Sequence, residues 1–139
     1  MISVPDLSLI SDDRSELGNQ SVTPLDWDLG ALAEGLECYR QHKFFLAHEH
    51  WESEWIKSQE PEKTFLQALI QIAAAFHHLQ RGNFAGAASL LLAARRKLEP
   101  YPPDFGGMAI APLRKSIGEW LQALQMENPP PEIPFPQIR

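Results

Sequence analysis

The feature that most constrains the fold is a long stretch that is apolar on nearly every side when it is arranged as a helix. This stretch occupies residues 62–80. Each helical residue advances by about 100° around the axis, and here apolar side chains take up almost every direction. Pro61 precedes the stretch and Gly82 and Asn83 follow it, which are residues typical of helix boundaries. Because a helix that is apolar all round needs neighbours on every side, the stretch predicts the central helix of a bundle.

The remainder of the chain supports the same fold class, because apolar residues recur at spacings of three and four between clear breaks. We predict helices over residues 25–42, 43–58, 62–80, 84–98 and 111–126. Residues 100–107, rich in proline and glycine, predict a loop, and no strand-like alternation is found. The predicted fold is all-α, a compact bundle of about five helices with an extended Pro-rich C-terminal tail. We divide the chain into a flexible N-terminal lead, a helical domain and the tail, at residues 1–24, 25–126 and 127–139.

The second predicted helix carries two polar residues inside its apolar face. With His48 as the reference direction, Phe44 and Trp51 fall within roughly 60° on one side. Glu52 lies about 40° from His48, in the same stripe. An imidazole and a carboxylate on an apolar face are costly to bury unless each finds a partner. The pattern therefore predicts either a polar network in the core or a binding site.

A matching polar stripe occurs on the third predicted helix. Gln67, Gln71 and His78 line up within roughly 40° of one another, beside alanines that allow close approach of a neighbour. The short connection at residues 59–61 makes the second and third helices antiparallel neighbours. We therefore predict one polar cluster between these helices, made of His48, Glu52, Gln71 and His78, with Glu49 at its edge.

Three kinds of role fit such a cluster, and the sequence leaves all three open. We favour a mainly structural role, in which the side chains hydrogen-bond one another and fix the register of the helices. Alternatively, His48, Glu52 and His78 could be ligands of a divalent metal, since imidazole and carboxylate groups from two helices form such sites. A carboxylate beside an imidazole also suits acid–base chemistry or the binding of a small ligand.

The tail offers a different kind of function, because it combines prolines with apolar residues at Ile133, Phe135 and Ile138. Proline restricts the free chain, so ordering this segment costs less entropy than ordering a typical tail. We predict that the tail docks on the bundle or on a second copy of it. This would make the protein an interaction module, with self-association or a peptide partner through the tail.

Composition excludes several classes of protein. The net charge of −6 argues against a protein that binds duplex nucleic acid, which would carry a basic surface. No apolar run approaches the ~18 residues of a membrane span. A single cysteine, Cys38, excludes an internal disulfide and fits a reducing compartment. Because residues 1–19 also show no signal pattern, we expect a cytoplasmic protein without membrane or nucleic-acid partners.

Three segments in order resemble a known family. They are residues 44–55 (FFLAHEHWESEW), 69–78 (LIQIAAAFHH) and 81–87 (RGNFAGA), followed by a leucine-rich helix. Together they resemble the signatures of the domain-of-unknown-function family 309, small helical proteins of bacteria and archaea with some plant relatives. The resemblance extends over roughly residues 28–125. It implies an all-α fold, and it implies no particular activity because the family has none established.

Overall fold

A computed structural model of the chain describes residues 25–126 and 133–139. The predicted N-terminal lead, residues 1–24, and the first part of the predicted tail, residues 127–132, lie outside the described residues. All statements below concern the described part of the chain.

The fold is a helical bundle, which confirms the predicted fold class. In chain order, the elements are α1 (Gly30–Arg40), α2 (Phe44–Ile56), α3 (Glu62–Gln80), α4 (Phe84–Leu98), β1 (Asp104–Phe105), β2 (Met108–Ala109) and α5 (Ile110–Leu124). Helix α3 packs against both α2 and α4, while α1 covers α2 and α5 covers α4. The predicted bounds of α3 and α4 are confirmed, and those of α2 and α5 agree to within two residues.

Helix α3 is the central helix, as its apolar composition predicts. Every residue from 65 to 76 is buried. Helix α2 runs antiparallel beside it, because opposite ends of the two helices are in contact. The ring of Phe44, at the start of α2, contacts Phe76 near the end of α3 at 5.5 Å between centroids. Lys63, at the start of α3, donates from Nζ to the carbonyl of Trp55 near the end of α2 at 3.0 Å. These two contacts fix the register of α2 on α3. The register determines which polar side chains of the two helices lie at the same height along the helix axes.

Helices α1 and α2 approach each other closely at Gly35. A Cβ atom built on Gly35 would collide with the indole of Trp51, which is fully buried. The Nε1–H of Trp51 donates a hydrogen bond to the carbonyl of Leu32 at 3.3 Å. The absence of a side chain at Gly35 therefore lets the largest side chain of α2 enter the core.

Two predictions about local structure are wrong. Helix α1 begins at Gly30 and not at residue 25, since Gly30 has a left-handed φ of +60° and the preceding segment turns to bury Trp27. The Trp27 Nε1–H donates to the carbonyl of Gly106 at 2.7 Å. The predicted loop at 100–107 contributes to a short antiparallel ladder, β1 with β2, because Gly106 and Gly107 both take positive φ and reverse the chain.

The last seven residues dock on the bundle, as predicted for the tail. The ring of Phe135 enters an aromatic pocket that we call the tail clamp, formed by Tyr39, His42, Phe44, Phe76 and Trp120. The Trp120 Nε1–H donates to the carbonyl of Pro134 at 2.9 Å, and the Tyr39 hydroxyl donates to that of Pro136 at 2.6 Å. Self-association or a peptide partner through the tail stays a prediction.

Within the described residues, no helix has both the length and the apolar character that crossing a membrane would require.

Candidate functional site

A cleft of about 340 Å³ opens where α2, α3 and the first half of α4 meet. We call it the histidine cleft. Its lining residues are Phe45 and His48 from α2, Ala74, His77 and His78 from α3, and Asn83, Gly86, Ser89 and Leu90 from the start of α4. Small-molecule sites have volumes of about 300–1,000 Å³, so this cleft has the size of a site for a small ligand.

His48 is the most unusual side chain of the cleft. Only 12% of the side chain is exposed, and neither ring nitrogen has a hydrogen-bond partner among the described residues. Its Nε2 atom lies 3.7 Å from Oε1 of Glu52, beyond the range of a hydrogen bond. A neutral imidazole offers one donor and one acceptor. Both ring nitrogens of His48 are without a partner in the described part of the chain and have almost no accessible surface, so they lie within the wall of the cleft.

Further unpartnered polar atoms continue from His48 along the contact between α2 and α3. They are Nε1 of Trp55, both side-chain polar atoms of Gln67 and Oε1 of Gln71. We call His48, Trp55, Gln67 and Gln71 the polar seam. Across residues 25–126 and 133–139, every buried side-chain nitrogen or oxygen without a partner belongs to one of these four residues.

The register of the two helices brings these seam residues level with one another. Starting from the contact between Phe45 and His77, ten residues forward along α2 reach Trp55 and ten residues back along α3 reach Gln67. On α3, Gln67 and Gln71 are one turn apart, so they share a face. The seam is thus a band of donors and acceptors that leads toward the cleft.

At the other wall of the cleft, Asn83 connects His78 to α4. The side-chain Oδ1 of Asn83 accepts a hydrogen bond from the backbone N–H of Gly86 at 2.9 Å, which confirms Asn83 as the predicted N-cap. Its Nδ2 must then donate to Nδ1 of His78, at 3.1 Å. Nδ1 of His78 is therefore the acceptor of this bond. A Cβ atom on Gly86 would lie 2.5 Å from Nδ2 of Asn83, so glycine is required for this arrangement.

The surroundings of His77 disfavour its charged form. The pKa of His77 is lowered first by partial burial and then by the nearby charges of Arg81, His78 and His48. Desolvation and like charges both disfavour the imidazolium form. No carboxylate is among the residues that line the cleft. Burial and the positive charge of Arg81 therefore favour an uncharged His77, and a ligand anion in the cleft would meet no carboxylate.

The structure brings together only part of the predicted cluster. His48 and His78 line the same cleft, and Gln71 is buried in the adjoining seam. The prediction that Glu52 is buried is wrong, because its side chain is 32% exposed at the edge of the α2–α3 contact. Glu49 is exposed and is not part of the cluster. Among the described residues these five side chains form no hydrogen bond to one another, since His78 is bonded to Asn83 instead.

The predicted metal ligands are not assembled in this arrangement. No three side chains of His, Cys, Asp or Glu in the described ranges are placed so that they could hold a metal ion. This includes the predicted set of His48, Glu52 and His78. The side chain of Glu52 is 32% exposed, and Nδ1 of His78 is bonded to Asn83. A divalent cofactor stays a prediction that metal analysis of the purified protein would test.

Three residues of the site stand apart from the predicted cluster. Gln67 is the more buried of the two seam glutamines, and its place in the same stripe as Gln71 is the signal that identifies it. Asn83 has a clear signal as an N-cap, but its second bond to His78 depends on how α3 and α4 pack. His77 lies off the predicted stripe and enters the cleft because α4 covers that side of α3.

Comparison with known proteins finds a family model that matches part of the chain. Residues 32–90 match the family model described as Domain of unknown function (DUF309). The resemblance to this family is confirmed. The DUF309 match contains every residue of the histidine cleft and of the polar seam, whereas Trp120 and Phe135 of the tail contacts lie beyond it.

A second comparison finds a relative with a similar sequence. The chain is 29% identical over 101 residues to an uncharacterized protein of Aquifex aeolicus (strain VF5). The aligned part is 71% of this chain and 30% of the relative, so the chain spans less than a third of that protein's length. Neither the DUF309 description nor the name of the relative states an activity.

Proposed function

We propose that this chain is a small-molecule-binding domain, with the histidine cleft as its binding site and the polar seam beside it. The observation that carries the proposal is His48. Its two ring nitrogens are buried without partners in the described part of the chain, at the wall of a cleft of suitable size. Buried polar groups in folded proteins nearly always have partners. A bound ligand would supply the missing ones.

The geometry fits this role better than the mainly structural role that the sequence favours. A structural network stabilises a fold only when its members are satisfied. Here the His48–Glu52 distance of 3.7 Å is too long, and Gln67 has no partner among the described residues for either side-chain polar atom. Unpartnered buried groups each cost about 1–3 kcal/mol. Their retention on one contact therefore supports a function other than stability.

We place the protein in the cytoplasm as part of the same proposal. Cys38 is a free thiol in the structure, and this fits a reducing compartment.

A screen of small fragments by NMR tests the proposal. Fragments that bind as proposed shift the resonances of His48, His78 and Ser89, and their binding is lost when Ser89→Trp fills the cleft. Ser53→Trp is the matched control, since Ser53 is an exposed serine of α2 outside the cleft. The proposal is wrong if no fragment shifts these resonances, or if Ser89→Trp and Ser53→Trp leave binding equally unchanged.

A further inference from the structure

The lining of the histidine cleft separates into a polar end and an apolar side. His77, His78 and Asn83 lie together where α3 passes into α4, and the three are linked by the ring contact of His77 with His78 and by the bond from Asn83. Phe45 and Leu90 lie on the helices that face this end. A ligand that matches both parts needs a polar group on an apolar body.

The polar end is suited to an anion. Its side chains contribute N–H donors and no carboxylate, and Arg81 adds a positive charge close enough to act on His77. Helix α3 ends and α4 begins at this end of the cleft, so the opposite partial charges of the two helix termini offset each other there. The nearby carboxylate of Glu52 approaches His48 and is not part of the lining, so it does not occupy this end.

The apolar side is suited to a flat body. The ring of Phe45 contacts His48 at 5.6 Å and His77 at 5.2 Å between centroids, so three rings form one wall. Ala74 and Leu90 contribute aliphatic surface. Aromatic walls of this kind favour planar ligands by stacking or edge contacts. The cleft volume of about 340 Å³ limits the ligand to a small one.

We propose that the ligand of the histidine cleft is a small organic acid, whose carboxylate lies beside His77 and His78 and whose planar apolar body lies against Phe45 and Leu90. This inference rests on the function proposed above. Charge-assisted hydrogen bonds from imidazolium or neutral N–H groups to a carboxylate are stronger than bonds to a neutral carbonyl. A ligand carboxylate would also be attracted by the positive charge of Arg81, which lies close to His77.

A pair of isosteric probes tests the inference on the full chain. Benzoate and benzamide have the same planar body and differ in charge. In NMR titrations, we expect benzoate to shift the ring Cε1–H signals of His48, His77 and His78, and to bind at least about fivefold more tightly than benzamide. The signals of His50, which lies outside the cleft and pairs with Glu34, should not move.

Matched variants locate the anion. His77→Gln keeps a hydrogen-bonding side chain but removes the ionisable ring, and it breaks no hydrogen bond seen among the described residues. It should weaken benzoate binding by about threefold or more while changing benzamide binding little. His50→Gln should change neither.

The outcomes separate this inference from the proposed function. If the two probes bind equally well in the cleft, or if His77→Gln weakens both probes equally, the inference that the ligand is an organic acid is wrong. The cleft is then a site for neutral ligands. If neither probe binds there but neutral fragments of the screen do, the acid is again excluded. If nothing binds in the cleft, both the inference and the proposed function are wrong.

Discussion

The tail clamp and the polar seam lie against the same central helix and treat polar groups in opposite ways. In the clamp, the Tyr39 hydroxyl and the Trp120 indole N–H each donate to a carbonyl of the docked tail. In the seam, the indole N–H of Trp55 and the amide of Gln67 are buried without partners among the described residues. Since partnered groups stabilise and unpartnered ones cost free energy, the clamp contributes stability and the seam reduces it.

The two regions also differ in their relation to the family match. The seam and the cleft lie wholly within the DUF309 match at residues 32–90, while the clamp depends on Trp120 and on the tail, which are outside it. The seam keeps buried donors and acceptors at a cost to stability, and the clamp adds contacts from the far end of the chain. The contrast supports the proposed binding role for the first region and a stabilising role for the second.

The largest expected effect is the loss of the aromatic anchor of the tail. Phe135→Ala removes a ring that contacts His42, Phe44, Phe76 and Trp120. Because these rings lose a shared neighbour, we expect the free energy of unfolding to fall by about 2–4 kcal/mol. Chemical denaturation, followed by tryptophan fluorescence and circular dichroism, measures the change.

The matched control for this variant comes from the other region. Phe45→Ala removes a ring of the histidine cleft that is 46% exposed, so we expect a loss below about 1 kcal/mol. If Phe45→Ala destabilises as much as Phe135→Ala, the cleft stabilises the fold as much as the clamp does and the comparison fails.

The second prediction concerns the Tyr39 hydroxyl. Tyr39→Phe removes its hydrogen bond to the buried carbonyl of Pro136, so we expect a loss of roughly 1–2 kcal/mol near neutral pH. Burial raises the pKa of Tyr39 well above its ordinary value. The folded state therefore holds this proton where the unfolded chain begins to lose it, and stability falls as pH rises above about 10. The Tyr39→Phe variant lacks this loss. The difference in free energy of unfolding between the variant and the unmodified protein should therefore become smaller at alkaline pH.

Tyr101 provides the control for the alkaline part of this prediction. Its pKa is also raised, chiefly by burial, and it remains in both proteins. A difference that stays constant from pH 8 to 11 would show that the Tyr39 hydroxyl is not held neutral by the tail clamp.

The sequence predicted the fold further than it predicted the site, and particular residues show why. Residues 65–76 of α3 follow from apolar periodicity, because periodicity reports directly on burial. The start of α1 does not, since the burial of Trp27 against Gly106 joins residues far apart in the chain. For the site, the helical wheel placed His48 in the right contact but could not measure the one-third exposure of Glu52. That exposure depends on how far the covering elements extend.

The third prediction applies to the polar seam, where the substitution is expected to raise stability and not to lower it. Gln67→Met replaces a buried amide without partners by an apolar side chain of similar length, which removes a desolvation cost. We expect stability to rise by up to about 1 kcal/mol. Gln122→Met is the control on exposed surface of α5 and should change stability by less than about 0.5 kcal/mol. A loss of more than about 1 kcal/mol for Gln67→Met would mean that Gln67 has partners in solution and that the seam is as well satisfied as the clamp.

The smallest expected effect distinguishes burial from function at Glu52. On the helical wheel Glu52 lies about 40° from His48 and Glu54 about 240° from it, yet their side chains are equally exposed, at 32% and 30%. Because exposed or half-exposed carboxylates contribute little, Glu52→Gln and Glu54→Gln should each change stability by less than about 0.5 kcal/mol, as measured by urea midpoints.

Glu52, however, is 3.7 Å from the unpartnered imidazole of His48, whereas Glu54 pairs with Lys57. If Glu52→Gln alters the binding of a cleft fragment at unchanged stability while Glu54→Gln does not, Glu52 acts on His48 and not on the fold. A loss above about 1 kcal/mol for Glu52→Gln alone would instead restore the structural role that the sequence favoured.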